Sequence, residues 1–106
     1  MKKTTTFAKL LQANKKAQNE ILSYVKDGLD CHAIVDKYGN IDIYEGYDPY
    51  NNLPNPDDIF STNFEVYDYQ ECSDRIPNNP NAKVVREGFI ERILDGGSYI
   101  ELTIEK

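Results

Sequence analysis

The chain is poor in the residues that most often build metal sites, disulfides and covalent active sites. Its 106 residues include one histidine, two cysteines, one methionine and no tryptophan. Cys31 and Cys72 do not make a disulfide scaffold. With His32 they also lack the ligand spacing of structural zinc, and neighbours on a strand point to opposite faces, so Cys31 and His32 cannot form a catalytic couple. We expect no cofactor, no metal site and no enzymatic activity.

Long apolar runs are also missing. No apolar stretch of the sequence is long enough to span a bilayer. The basic start MKKTTTFAKLLQANKK lacks the continuous apolar segment of a signal peptide, because Lys9, Gln12 and Asn14 interrupt it. Cys31 lies in an apolar, strand-like run that suits a reduced, buried thiol. We therefore expect a cytoplasmic protein with no membrane partner.

Basic side chains are scarce and unevenly distributed. The chain has 12 Lys and Arg against 18 Asp and Glu, a net charge of −6. Residues 1–27 carry a net charge of +4, whereas residues 36–74 carry ten carboxylates against Lys37 alone. This asymmetry disfavours direct binding to nucleic acid and favours a basic protein partner. A plain solvated surface on an acidic protein remains the alternative.

The first half of the sequence predicts a helix followed by a hairpin, within one domain over residues 1–106. An apolar stripe indicates an amphipathic helix over 5–27, with Gln18 away from the stripe and an N-cap in the run Thr4-Thr5-Thr6. Alternating residues in 29–36 and 41–44 predict two strands joined by the turn DKYGN.

The second half predicts a third strand over 63–72 and a final strand over 98–105, with Ile100, Leu102 and Ile104 on one face. Residues 82–94 fit a second helix or a fourth strand, and the apolar spacing favours the helix. The order indicates an α+β fold: an N-terminal helix, a three-stranded antiparallel meander, a second helix and a C-terminal strand. The helices would pack on one face of the antiparallel sheet.

One segment, YEGYDPYNNLPNPDD over 44–58, resembles a calcium loop in composition. An EF-hand needs glycine at the sixth position and glutamate at the twelfth. Counted from Asp48, those positions hold Leu53 and Ile59, so the EF-hand pattern fails. An irregular calcium site within 42–58 stays open. A connection this long and rich in proline is typical of a functional loop.

Tyrosines and carboxylates occur together through the acidic region. Tyrosine is enriched at protein interfaces, and surrounding carboxylates would attract a basic partner. The candidate partner-binding residues are Asp42, Tyr44, Glu45, Tyr47, Asp48, Tyr50, Asp57, Asp58, Glu65, Tyr67, Asp68 and Tyr69. The opposing interpretation is that these tyrosines close the edge of the core.

These features favour a non-enzymatic binding protein or inhibitor that engages a basic partner, such as a nuclease or another nucleic-acid-binding protein. In size, acidity and one-sided charge the chain resembles phage or mobile-element inhibitors and bacteriocin immunity proteins, and the likeness implies carboxylates placed where phosphates would lie. One alternative is a ligand-binding or enzymatic domain with a pocket between helix and sheet, lined by Tyr24, His32 and Cys72. Another is an accessory subunit that dimerises through the strand edge of 98–105.

Overall fold

The computed structural model describes residues 2–74 and 100–105, with the backbone alone for 71–74. The predicted helix or strand at 82–94 lies outside the described residues. Eight elements follow one another along the described chain: β1 (Lys2–Thr6), α1 (Phe7–Gln12), α2 (Lys15–Lys26), β2 (Cys31–Asp36), β3 (Ile41–Glu45), β4 (Asp58–Phe64), α3 (Val66–Asp74) and β5 (Glu101–Glu105). The predicted α+β class is confirmed.

The N-terminal region differs from the predicted continuous helix over 5–27. It begins with β1, and the helical part is divided into α1 and α2 at residues 13–14. The predicted cap is confirmed at Thr6, whose side-chain oxygen accepts a hydrogen bond from the Lys9 N–H at 3.2 Å. Asn14 caps α2 by accepting from the Ala17 N–H at 3.0 Å. Each cap satisfies an N–H group that a helix start leaves without a partner.

Gln18 explains how the break between α1 and α2 is tolerated. The sequence placed Gln18 away from the apolar stripe, and this was wrong, because only 5% of the residue is exposed. Its Nε2 donates hydrogen bonds to the backbone carbonyls of Leu11 at 2.7 Å and Gln12 at 3.3 Å. Both carbonyls lie in the last turn of α1, where the helix supplies no further N–H, and the Leu11 carbonyl also accepts from the Asn14 N–H at 3.0 Å. The buried Gln18 side chain thus supplies hydrogen-bond donors to backbone carbonyls at the junction of α1 and α2.

The predicted hairpin is confirmed in β2 and β3. The two strands are antiparallel, and their register pairs Val35 with Ile41. In the turn, Gly39 takes a positive φ of 84°, a conformation that glycine adopts at little cost. The carboxylate oxygen Oδ1 of Asp36 accepts from the N–H groups of Tyr38 and Asn40, both at 2.9 Å. The local sequence therefore supplies both the glycine with positive φ and the aspartate acceptor that stabilise this turn.

The predicted third strand over 63–72 was wrong. The strand is β4, which ends at Phe64, and residues 66–74 form α3. The predicted meander was also wrong, because the sheet order is β3-β2-β4 with β2 in the centre. β4 pairs with β2 across a bulge between Val35 and Asp36. Asp30 marks the start of α3, since its Oδ1 accepts from the Val66 N–H at 2.8 Å.

The C-terminal strand pairs with the N-terminus. β5 and β1 form a separate antiparallel two-stranded sheet. Leu102 and Ile104 are buried as predicted, whereas Ile100 precedes the strand and is 57% exposed. The Glu105 N–H donates to the carbonyl of Lys37, which joins the end of β5 to the turn between β2 and β3.

The core lies between the helices and one face of the three-stranded sheet. The helices contribute Phe7, Leu11 and Ile21, and β2 contributes Cys31 and Val35. The ring of Phe7 lies 5.4 Å from that of Phe60 and 6.2 Å from that of Phe64. Burial of a large apolar side chain contributes roughly 1.5–3 kcal/mol to the free energy of unfolding.

Within the described ranges, no helix is long and apolar enough to cross a membrane.

Candidate functional site

The face of the three-stranded sheet opposite the helices carries two of the candidate residues, Asp42 and Tyr44. Cys31, Ala33 and Val35 of β2 point into the core, so the side chains that alternate with them point the other way. The register places two rows across this second face: His32 with Tyr44 and Asn63, and Ile34 with Asp42 and Ser61. Ile34 is only 5% exposed, and the exposed side chains of these two rows are Asp42 and Tyr44. We call this face of the sheet the outer face.

His32 links the outer face to the residue that follows β3. Its ring stacks on Tyr44 with centroids 5.6 Å apart and an interplanar angle of 25°. Its Nδ1 lies 2.8 Å from the carbonyl oxygen of Gly46. Because a carbonyl only accepts hydrogen bonds, Nδ1 carries the proton and donates it. Cys31 is buried on the opposite face, as the alternation predicted, so these two side chains hold structural positions on separate sides of the sheet.

The long connection between β3 and β4 is attached to the outer face through Asp48 and Asn63. The Asp48 N–H donates to Oδ1 of Asn63 at 2.8 Å, and Nδ2 of Asn63 donates back to the Asp48 carbonyl at 2.9 Å. The Asp48 carboxylate then accepts from the N–H groups of Tyr50 at 3.1 Å and Asn52 at 2.8 Å. Between them Asn51 takes a positive φ of 50°, which asparagine tolerates well. Asp48 therefore shapes the loop that the sequence assigned to partner binding.

Asp57 and Asp58 close the other end of the connection. Asp58 accepts from the Asn55 N–H through Oδ2 at 3.0 Å and donates its own N–H to the Asn55 carbonyl at 3.0 Å. Asp57 lies 3.2 Å from Nζ of Lys37, and Glu105 lies 3.8 Å from the same ammonium. The hydrogen bond and negative charge of Asp57, with smaller contributions from Tyr38 and Glu105, raise the pKa of Lys37. Both aspartate side chains thus stabilise the end of the connection, in addition to contributing negative charge.

Three other candidate carboxylates have no such role. Asp42, Glu45 and Glu65 are exposed, and within the described residues their side chains make no hydrogen bond or ion pair. Asp42 and Glu45 lie on β3, and Glu65 lies between β4 and α3. Asp68 is half-buried in the first turn of α3. The carboxylates available to a partner therefore differ from those that the aspartate-rich loop suggested.

The candidate tyrosines divide into exposed and half-buried residues. Tyr44, Tyr47, Tyr50 and Tyr67 are 43%, 50%, 82% and 66% exposed. Tyr69 packs against the core, and burial raises the pKa of its hydroxyl. Sequence reasoning did not include Tyr38, which is 48% exposed and lies beside Lys37, with Nζ 5.3 Å from the ring centroid. Its position inside the predicted hairpin turn could have identified it from the sequence as an exposed tyrosine.

A shallow groove of about 230 Å³ runs between α2 and β3. Its walls are Asn14, Lys16, Ala17 and Glu20 from the helix and residues 41–44 from the strand. The pocket suggested by Tyr24, His32 and Cys72 has a different location. Tyr24 packs against the core, whereas His32 lies on the outer face, so these two residues do not line one pocket.

Two of the carboxylates along and at the end of the β3–β4 connection accept backbone N–H groups, and a third faces a lysine ammonium. Asp48 and Asp58 accept the N–H groups described above, and Asp57 faces Lys37. Within the part of the chain that the structure describes, no three His, Cys, Asp or Glu side chains come together in a way that could hold a metal ion.

The described residues form a small α+β domain in which exposed tyrosines and carboxylates occur on β3 and on the connection that follows it. No protein-family model, curated protein or solved structure matches the chain.

Proposed function

We propose that this chain is a non-enzymatic binding protein whose acidic, tyrosine-bearing face engages a basic protein partner. The surface consists of the outer face together with the β3–β4 connection. In its more specific form, the chain is an inhibitor that occupies the nucleic-acid-binding groove of a nuclease or a similar protein. Its carboxylates would then lie where the partner ordinarily binds phosphates.

The observation that carries this proposal is an exposed aromatic segment with a defined backbone. Tyr47 and Tyr50 are largely exposed, but the loop that bears them is held by the reciprocal hydrogen bonds of Asp48 and Asn63. Tyrosine offers a large, rigid contact with a polar end. Because the loop is already ordered, less conformational entropy is lost when a partner binds.

The charges near this segment support a basic partner. Asp42 and Glu45 are exposed on β3, and no basic residue occurs between Lys37 and Asp74. Exposed charges of one sign accelerate association with an oppositely charged surface, and salt weakens that effect. A partner recognised in this way should therefore be released as ionic strength rises.

The test separates carboxylates that face a partner from carboxylates elsewhere on the protein. The first variant is Asp42→Asn with Glu45→Gln. Its matched control is Asp27→Asn with Glu101→Gln, which also removes two negative charges from exposed positions, one directly after α2 and one on β5. Each protein is immobilised, exposed to lysate of its native cell at low salt and washed with rising salt.

We expect the unmodified protein and the control to retain a basic protein that salt releases. The first variant should release it at lower salt, and a nucleic-acid duplex should displace it if the inhibitor form is correct. Equal retention by the first variant and the control would contradict the proposal.

A further inference from the structure

Within the described residues, one edge of the β3 backbone beside the groove pairs with no other strand. Among the described strands, β3 pairs with β2 alone and is therefore an edge strand. Its side opposite β2 lies along the groove whose other wall is α2. An edge strand presents unpaired N–H and C=O groups on which another strand can form.

The register identifies which backbone groups point outward. The hairpin is bounded by hydrogen bonds from the Gly46 N–H to the Asp30 carbonyl at 2.8 Å and from the Asp36 N–H to the Asn40 carbonyl at 3.1 Å. Hydrogen-bonded pairs alternate along an antiparallel ladder. Asp42 and Tyr44 therefore direct their backbone groups to β2. The N–H and C=O groups of Ile41, Ile43 and Glu45 point away from it, toward the open edge.

Three features that discourage pairing at edge strands, lysine, proline and a bulge, are missing from β3. Its protection is the short length of the strand and the negative charge of Asp42 and Glu45, which disfavours acidic segments rather than basic ones. β3 reads IDIYE and contains neither lysine nor proline, and its pairing with β2 is regular. The bulge in this sheet lies instead between β2 and β4.

Charge selects the strand that would pair there. A second copy of β3 would add only carboxylates beside Asp42 and Glu45 and has no basic residue, so it would gain no charge complementarity at this edge. A strand with lysine or arginine opposite Asp42 would instead gain attraction. A residue of the added strand opposite Ile43 would face the helix side of the sheet. An apolar side chain at that position would cover Ile41 and Ile43, which pack against the core.

From this geometry we propose that β3 accepts an extended segment of the basic partner as an added strand, paired to the backbone of Ile41, Ile43 and Glu45. The recognised segment alternates basic and apolar residues. This inference rests on the proposed function, since it takes the partner to be basic, and it adds the mode of binding. The tyrosines of the β3–β4 connection then contact the partner beyond that segment.

The experiment uses the full-length, ¹⁵N-labelled protein and a short, end-blocked peptide of alternating lysine and valine. In the free protein, the amides of Ile41, Ile43 and Glu45 should exchange with solvent faster than those of Asp42 and Tyr44. The peptide should protect the first three amides. A peptide of alternating glutamate and valine should not protect them, and a lysine–valine peptide N-methylated along its pairing edge should bind about tenfold more weakly per lost hydrogen bond.

A pair of variants at one exposed position separates charge from backbone pairing. Glu45→Gln removes the charge alone, whereas Glu45→Pro removes the charge and the outward N–H while leaving the ladder to β2 in place. We expect Glu45→Pro to bind the lysine–valine peptide about tenfold more weakly than Glu45→Gln.

Four results would overturn the inference: no binding at millimolar peptide, equal protection by the acidic peptide, equal affinities for Glu45→Pro and Glu45→Gln, or shifts confined to Tyr47 and Tyr50. The last result would leave the proposed function intact, because it would place a basic ligand on the tyrosine-bearing surface without strand pairing.

Discussion

Asp48 and Asn63 each donate a hydrogen bond to the other, one from a backbone N–H and one from a side-chain amide, at 2.8 and 2.9 Å. Asn63 lies on β4 and Asp48 lies 15 residues earlier in the connection that leads to it. The pair therefore fixes the beginning of the connection against the strand at its end. Tyr47 directly precedes Asp48 and Tyr50 follows it by two residues, so their orientation depends on this contact.

Replacing Asn63 with alanine should free the connection from the sheet. Asn63→Ala removes both hydrogen bonds to Asp48, and we expect the free energy of unfolding to fall by about 1–2 kcal/mol. Urea denaturation would measure this, and hydrogen exchange should show faster exchange for amides 48–52. The matched control is Asn55→Ala, because Asn55 bonds to Asp58 only through its backbone. Equal exchange in both variants would show that Asn63 does not hold the loop.

Gln18 should be needed to join α1 to α2. In Gln18→Met the side chain keeps a similar shape but cannot donate to the Leu11 carbonyl, which retains only the hydrogen bond from the Asn14 N–H. We expect a loss of about 0.5–1.5 kcal/mol in the free energy of unfolding. Gln12→Met, at an exposed position in the same region, should change stability by no more than about 0.5 kcal/mol. Similar urea midpoints for the two variants would contradict this assignment.

The parts of the fold that the sequence predicted correctly depend on neighbouring residues. The hairpin follows from alternation and from a turn in which Asp36 bonds to Tyr38 and Asn40, two and four residues away. The N-cap at Thr6 likewise contacts a residue three positions later. Patterns of this range are visible in a single sequence because the interacting side chains are close together along the chain.

The errors involve contacts between distant residues. The start of α3 is capped by Asp30, which lies 36 residues before Val66, and the choice of β2 as the partner of β4 is equally non-local. The candidate surface shows the same division. Its candidate tyrosines and acidic residues are readable from the sequence and stay a prediction, but the assignment of Asp48 and Asp58 to backbone hydrogen bonds required the folded structure.

Asp30 should stabilise the start of α3 through one carboxylate oxygen. Asp30→Ala leaves the Val66 N–H without its acceptor, and loss of a cap costs about 1 kcal/mol. Asp30→Asn keeps an acceptor oxygen but loses the favourable negative charge at a helix start, so its stability should lie between those of the unmodified protein and Asp30→Ala. Urea denaturation would rank the three proteins, with exposed Asp27→Asn as the control. Equal stability of Asp30→Ala and the unmodified protein would exclude a capping role.

Cys31 should make stability fall at alkaline pH. Burial, assisted by the negative charge of Asp30, raises the pKa of its thiol from 9.0 to about 12. Because the folded state holds this proton more tightly than the unfolded state, the stabilising contribution is complete below pH 9. It is lost as pH rises from 9 toward 12. Urea denaturation of the unmodified protein and Cys31→Ala on both sides of pH 9 would isolate this effect from the titration of the tyrosines.

The stability difference between these two proteins should shrink as pH rises above 9, and a constant difference would contradict the assignment. Thiol alkylation gives an independent measurement, since the thiolate is the reactive form. Trypsin should release Cys31 and Cys72 in separate peptides, because Lys37 lies between them. At neutral pH, iodoacetamide should leave the peptide that contains Cys31 unmodified until urea unfolds the protein. Rapid alkylation of Cys31 in the native protein would mean that the thiol is reached without unfolding and that its burial does not protect it.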